Sequence, residues 1–212
     1  MNLATLRTLL GKRLQDTVDD QFDDAALNAL INVGCGLLQN EIMAVSKHAF
    51  IEVATFAQTA GQERYPKPAG IYFPVRLGIA DTGAAGGYRK LEKRSLMAAT
   101  SRATGDDTVW ADAGRWLWIE PVPSATVAAG FQLVYVPLVA VSDDADVPTI
   151  HDSLHSCIVD IGVIEALGET HETAKAAAER LDRKLKYIQT IYGFTEGFNP
   201  TTVGAGPNFR TT

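Results

Sequence analysis

The chain changes its apolar period twice, and that order restricts what it can fold into. Residues 3–46 and 150–192 repeat apolar side chains every three or four positions, whereas residues 50–141 alternate apolar with polar and are cut by Gly and Pro. The first spacing lines one face of a helix and the second one face of a strand. The expected fold class is α+β. Residues 1–48 and 149–192 make a four-helix-type body, 49–148 an inserted antiparallel β domain, and 193–212 an extended C-terminal arm.

Helices are expected over Leu3–Leu14, from an N-cap at Asp23 to about Val45, over His151–Leu167 with Gly168 as stop, and over Glu172–Tyr192 with Gly193 as stop. Gly34 and Gly36 weaken the second helix by about 1 kcal/mol each relative to Ala, and so mark places where another backbone approaches. Strands are expected from Phe50 to Phe56, with a turn at Thr59–Gln62 and a return at Glu63–Tyr65, then at Tyr72–Ile79 and Tyr88–Leu91. Glu92–Thr100 reads as a short helix. Thr108–Trp110 and Trp116–Glu120 read as a hairpin through Asp112–Gly114, and Gly130–Val141 as the last strand.

A chain of 212 residues buries roughly 70% of its unfolded surface, enough for a core. No apolar run approaches the ~20 residues of a membrane helix, and MNLATLRTLLGKR lacks a signal-peptide layout, so assembly in a cytosol is expected. Residues 1–48 carry 4 basic and 6 acidic groups, 49–149 carry 9 and 11, and 150–212 carry 6 and 8. This even balance argues against tight binding of nucleic acid through phosphate contacts. Cys35 and Cys157 lie in apolar helical stretches and read as buried thiols.

Candidate chemistry is thin. His151 and His155, spaced i, i+4, suit a metal, but no base follows His151 and no third ligand is evident; solvated or interface-packed histidines fit better. Asp143, Asp144 and Asp146 lack the bidentate Glu of a calcium loop and read as a solvated turn. Gly83–Gly87 has neither dinucleotide nor P-loop spacing and reads as a loop tip. Trp116 and Trp118 share one face of a strand, opposite Leu117 and Ile119. They suit a subunit contact or, alternatively, a carbohydrate- or nucleic-acid-binding platform. Arg180, Arg183, Lys184 and Lys186 cluster on the last helix, as a solvated face or, for Arg180, Arg183 and Lys184, a charge-complementary subunit contact. No cofactor, catalytic triad or zinc spacing is evident.

Five landmarks then occur in order: TLRTLLGKRL with FDDAALNALINVGCGLLQNEI after an acidic break; TAGQERYPKP; LEKRSLMAAT; RWLWIEPVP; and VYVPLVAVSDDADVPTIHDSLHSCIVDIGVIEAL. Together they resemble the head-to-tail adaptor proteins of tailed bacteriophages, also called head–tail connector or head-completion proteins, to which the tail tubular A proteins are related. The resemblance spans about residues 3–192. It implies a non-enzymatic structural protein of the virion neck, assembled in the host cytoplasm as a homo-oligomeric ring of twelve. The ring would sit beneath the portal protein and extend the DNA channel, which DNA crosses without specific binding. It would present its lower face to a tail tube, nozzle or tail-completion protein, with no membrane involved. The arm would anchor on the portal, with Phe194, Phe198, Phe209 and Arg210 as its large or charged groups.

Overall fold

A helix leaves its first four N–H groups without partners, so its start needs acceptors from outside. In the computed structural model, which describes residues 1–15, 22–46, 48–81, 87–100 and 108–192, helix α1 spans Leu3–Gln15 and helix α2 Asp24–Val45. The Asp23 carboxylate accepts from the Ala26 N–H at 2.7 Å, as expected of an N-cap. For α1, Asn2 Oδ1 accepts from Thr5 N–H at 3.0 Å, while the carbonyls of Asp146 and Asp144 accept from Leu3 and Ala4 at 2.8 and 3.2 Å.

The chain is α+β and divides into two compact units. One comprises Met1–Phe50 and the chain from Leu138, the other Ile51–Pro137.

In the helical unit, helix α4 (His155–Leu167) is buried along most of its length, as befits a run that is apolar nearly all round. Helices α1, α2 and α5 (Glu172–Leu185) pack on it. Leu3, Leu6, Leu10 and Leu14 bury the α1 stripe completely or nearly so, each worth about 1.5–3 kcal/mol. Two glycines set the close approaches. A Cβ on Gly34 would lie 2.6 Å from the Ile158 carbonyl oxygen, and one on Gly162 would lie 3.2 Å from both terminal methyls of Leu10.

Two expectations for this unit need correction. The helix from His151 starts with a 3-10 turn at Asp152–Leu154 before α4. The last helix is broken: α5 ends at Leu185, and a separate α6 covers Ile188–Tyr192. At the break the Tyr187 N–H donates to the Lys184 carbonyl at 2.9 Å, the tighter i→i+3 bond that ends an α-helical turn.

The β unit holds two four-stranded sheets. Strands β1 (Glu52–Gln58), β8 (Val127–Pro137), β3 (Ile71–Ala80) and β4 (Tyr88–Lys90) form one, in that order. Strands β2 (Arg64–Pro66), β7 (Trp116–Glu120), β6 (Val109–Ala113) and β5 (Glu92–Lys93) form the other. Tyr65, Leu77, Trp110, Leu117, Phe131 and Leu133 make the core, with the Tyr65 and Phe131 rings edge to face at 5.1 Å.

Long-range pairing overrides three local readings here. The segment after the Thr59–Gln62 turn does not return along β1. It forms β2 in the other sheet, opposite β7, and Pro66 still pairs with Trp116 because an edge strand tolerates its missing N–H. Glu92 and Lys93 are strand rather than helix, parallel to Val109 and Trp110, and helix α3 is only Leu96–Thr100. The last strand stops at Pro137. Beyond it, Val139 and Val141 donate their N–H groups to Gln39 Oε1 and Asn32 Oδ1 at 3.1 and 2.9 Å, so this stretch runs along α2 within the helical unit.

Candidate functional site

The β6–β7 hairpin turns tightly. Ala113 faces Trp116 across a two-residue loop whose first member, Gly114, takes φ 66°. Strand alternation then sends Leu117 and Ile119 into the core, fully buried, and Trp116 and Trp118 to the other face. The two outward rings differ. Trp118 is half-buried beside Val109 and Ala111, with the Arg64 guanidinium 4.4 Å from its ring centre. Trp116 is 44% exposed at the hairpin end. It lines an open cleft with Pro66, Pro68, Tyr72 and the exposed Arg115. A flat two-ring platform for a sugar or base needs both faces free, and Arg64 already occupies that of Trp118. Trp110, the third tryptophan, is a core residue.

The cationic cluster on α5 is not simply a solvated face. Asp160 of α4 is completely buried, in a helix otherwise apolar there, and a buried carboxylate must be paired. Arg13 of α1 reaches its Oδ1 at 2.5 Å, and Arg180 of α5 reaches the same oxygen at 2.9 Å. The Lys184 ammonium lies 4.0 Å from Oδ2 and also donates to Ser156 Oγ. Arg180 and Lys184 are therefore committed inside the subunit, with 35% of each side chain exposed. Arg183 is exposed and donates to the Glu179 carbonyl of its own helix, while Lys186 pairs with Asp182.

The acidic loop is built rather than merely solvated. The Asp146 carboxylate accepts from the N–H groups of Ser142 and Asp143 at 2.8 and 2.9 Å. These bonds hold its carboxyl below the ordinary range. Asp144 pairs with Arg7, which also reaches Asp24 at 2.8 Å. The loop thus anchors the start of α1.

Of the two histidines, His151 is exposed as expected and His155 departs from expectation. His155 is fully buried rather than solvated. Its Nε2 lies 2.8 Å from the Ile150 carbonyl, which can only accept, so Nε2 carries the proton and Nδ1 accepts from the Met1 amine at 2.6 Å. Both ring nitrogens are occupied. His151 instead caps the 3-10 turn, accepting from the Ser153 N–H at 3.3 Å. Among the described residues, no three His, Cys, Asp or Glu side chains converge as a metal site. Among the described residues, no helix is long and apolar enough to cross a membrane.

Cys35 and Cys157 are free and fully buried. Burial pushes the Cys35 thiol up to about 12 and the Cys157 thiol up to about 11. Phe194, Phe198, Phe209 and Arg210 lie outside the described residues, as do Gly193 and positions 83–86 of the Gly-rich stretch.

The charge balance also changes once the units are known. Residues 51–137 hold nine basic and eight acidic groups, whereas 1–50 and 138–192 together hold nine and sixteen. The even distribution read from the sequence came from counting Asp143, Asp144 and Asp146 with the β segment.

The described residues present their polar clusters as braces within two compact units. No curated protein matches the chain. The family model described as SU10 adaptor protein matches residues 1–203, and on that match the chain belongs to this family of phage head-to-tail adaptors.

Proposed function

We propose that this chain is a structural, non-enzymatic protein of the virion neck, assembled in the host cytoplasm, and that twelve copies form a ring beneath the portal protein. The ring extends the DNA channel and meets a tail tube, nozzle or tail-completion protein below. The observation that carries this reading is the family match over residues 1–203. The net charge of −6 supports it. A passage lined with cations would neutralise phosphates and retard the DNA, whereas an acidic protein lets it slide.

The helical unit serves ring packing, and the β unit a lateral or tail contact through Trp116 and, to a smaller extent, Trp118. Arg183 keeps the most freedom of the three α5 cations for a subunit contact. Arg180 and Lys184 contribute only what Asp160 leaves exposed.

Residues 193–212 form the portal anchor in this reading. Phe194, Phe198, Phe209 and Arg210 are its contact groups, because a few large side chains carry most of a binding energy. The family match takes in the first two. Deleting residues 194–212 should leave the circular dichroism spectrum and melting temperature unchanged while abolishing co-sedimentation with the phage's own portal. Unimpaired attachment of the truncated chain would rule the arm out as the main anchor.

A further inference from the structure

Helix spacing sets up two facing strips inside the helical unit. Ser156 and Asp160 lie about one turn apart on α4, and Arg180 and Lys184 about one turn apart on α5, so each pair shares a helix face. Arg13, in the last turn of α1, completes the cluster. Three of the nine basic groups of residues 1–50 and 138–192 thus converge on one of their sixteen acidic ones. Among the described residues, no other carboxylate lies within ion-pairing distance of these three cations.

One carboxylate does not satisfy three cations. A single arginine can already engage both oxygens of a carboxylate. Here Arg13 and Arg180 meet on the same oxygen, Oδ1, at 2.5 and 2.9 Å. Asp160 Oδ2 has no hydrogen-bond donor among the described residues. The Lys184 ammonium stays 4.0 Å from it and donates to Ser156 Oγ instead. Three positive charges against one negative leave a surplus of two. The surplus is also largely withdrawn from solvent, since Arg13, Arg180 and Lys184 keep only 24%, 35% and 35% of their side chains exposed. Like charges repel more strongly there than in open water, because the effective dielectric is lower. An added anion relieves that repulsion, and gains more than it would beside the exposed Lys175 or Arg183.

Donor chemistry identifies the ligand. Guanidinium and ammonium groups offer N–H donors and no acceptor, so the ligand supplies acceptors and negative charge. A carboxylate or phosphate group does both and matches the planar fork of arginine. We propose that Arg13, Arg180 and Lys184 form an oxyanion site, which takes one carboxylate or phosphate group on the solvent side of Asp160. The proposal stands independently of the ring reading above. Two sources can supply the group. One is the chain's own acidic stretch, because Asp16, Asp19 and Asp20 begin three positions after Arg13; these three lie outside the described residues. The other is an anion from outside the subunit.

The test is isothermal titration calorimetry of the full chain with inorganic phosphate, at constant ionic strength in chloride. It compares the wild type with Arg180→Gln, with Lys184→Met, and with a chain carrying Asp16→Asn, Asp19→Asn and Asp20→Asn together. An external anion is the source if the wild type and the triple variant bind phosphate equally, at one group per chain. The chain's own carboxylates are the source if only the triple variant binds. In either case, adding Arg180→Gln or Lys184→Met to the chain that binds should weaken binding at least about tenfold, the loss of one charge-assisted hydrogen bond. Both substitutions leave Asp160 paired with Arg13, and melting curves check that each variant is folded. Should one fail to fold, the other still decides. Absence of saturable binding in both the wild type and the triple variant would overturn the site. Binding that survives Arg180→Gln and Lys184→Met would overturn it too, because the phosphate would then sit elsewhere.

Discussion

Arg13 of α1 donates to Asp160 of α4 at 2.5 Å, joining residues 147 positions apart in the chain. Arg180 reaches the same carboxylate from α5, so one buried acid ties three helices together.

Replacing Asp160 with Ala leaves those cations facing a buried site without a counter-charge. Arg13, Arg180 and Lys184 keep 24%, 35% and 35% of their side chains in solvent and can partly rehydrate. The cost should therefore be about 2–4 kcal/mol, toward the lower side for a broken buried pair. Arg13→Ala leaves Asp160 with two partners and should cost about 1–2 kcal/mol. Urea unfolding followed by circular dichroism measures both. An Asp160→Ala variant as stable as the wild type would contradict the tie.

Gly34→Ala should destabilise even though Ala is the better helix former. Its Cβ would sit 2.6 Å from a backbone oxygen of Ile158, which only movement of α4 can relieve. Overpacking of that kind costs about 1–3 kcal/mol, against a propensity gain of about 1. Gly162→Ala meets the two terminal methyls of the Leu10 side chain at 3.2 Å, and Leu30 Cβ at an ordinary 3.8 Å, and should be milder because a side-chain end gives more readily than backbone. Thermal melts should rank Gly34→Ala below Gly162→Ala, and the reverse order would refute the close approach.

The two thiols should be silent to a thiol reagent at pH 8 in the native protein and both react once it is unfolded. They also make stability fall at alkaline pH. Burial raises the native thiols to about 12 and about 11, from an ordinary 9.0. Above pH 9 the unfolded chain therefore loses protons that the native chain keeps. The unfolded state then binds fewer protons, and unfolding free energy declines with rising pH. The decline should begin near pH 9 and approach ~1.4 kcal/mol per pH unit for each thiol. Denaturant midpoints from pH 7 to 11 check this, and a variant with Ala at both positions should show a flatter curve.

Much of the framework was legible from spacing. Asp23, the leucines of α1, Gly168 and the inward turn of Leu117 and Ile119 each follow from local chemistry or from the period of an element. What escaped depends on partners far along the chain. Asp160 looks like a blemish in HSCIVDIGV until Arg13 and Arg180 arrive. Arg180 and Lys184 look like a solvated face until the buried acid is known. Thr59–Gln62 has the residues of a hairpin turn, yet β2 is claimed by Trp116–Trp118 in the other sheet. Gly34 and Gly36 were indistinguishable in sequence, and only the neighbouring backbone of Ile158 separates them.

The most direct measurement is electron microscopy of the full chain mixed with its phage's own portal protein, with the mass and symmetry of the particle determined. The proposed function predicts a twelve-fold ring of this chain stacked coaxially on the portal. A chain that stays monomeric and unbound at saturating portal, or that binds without rotational symmetry, would contradict the adaptor ring.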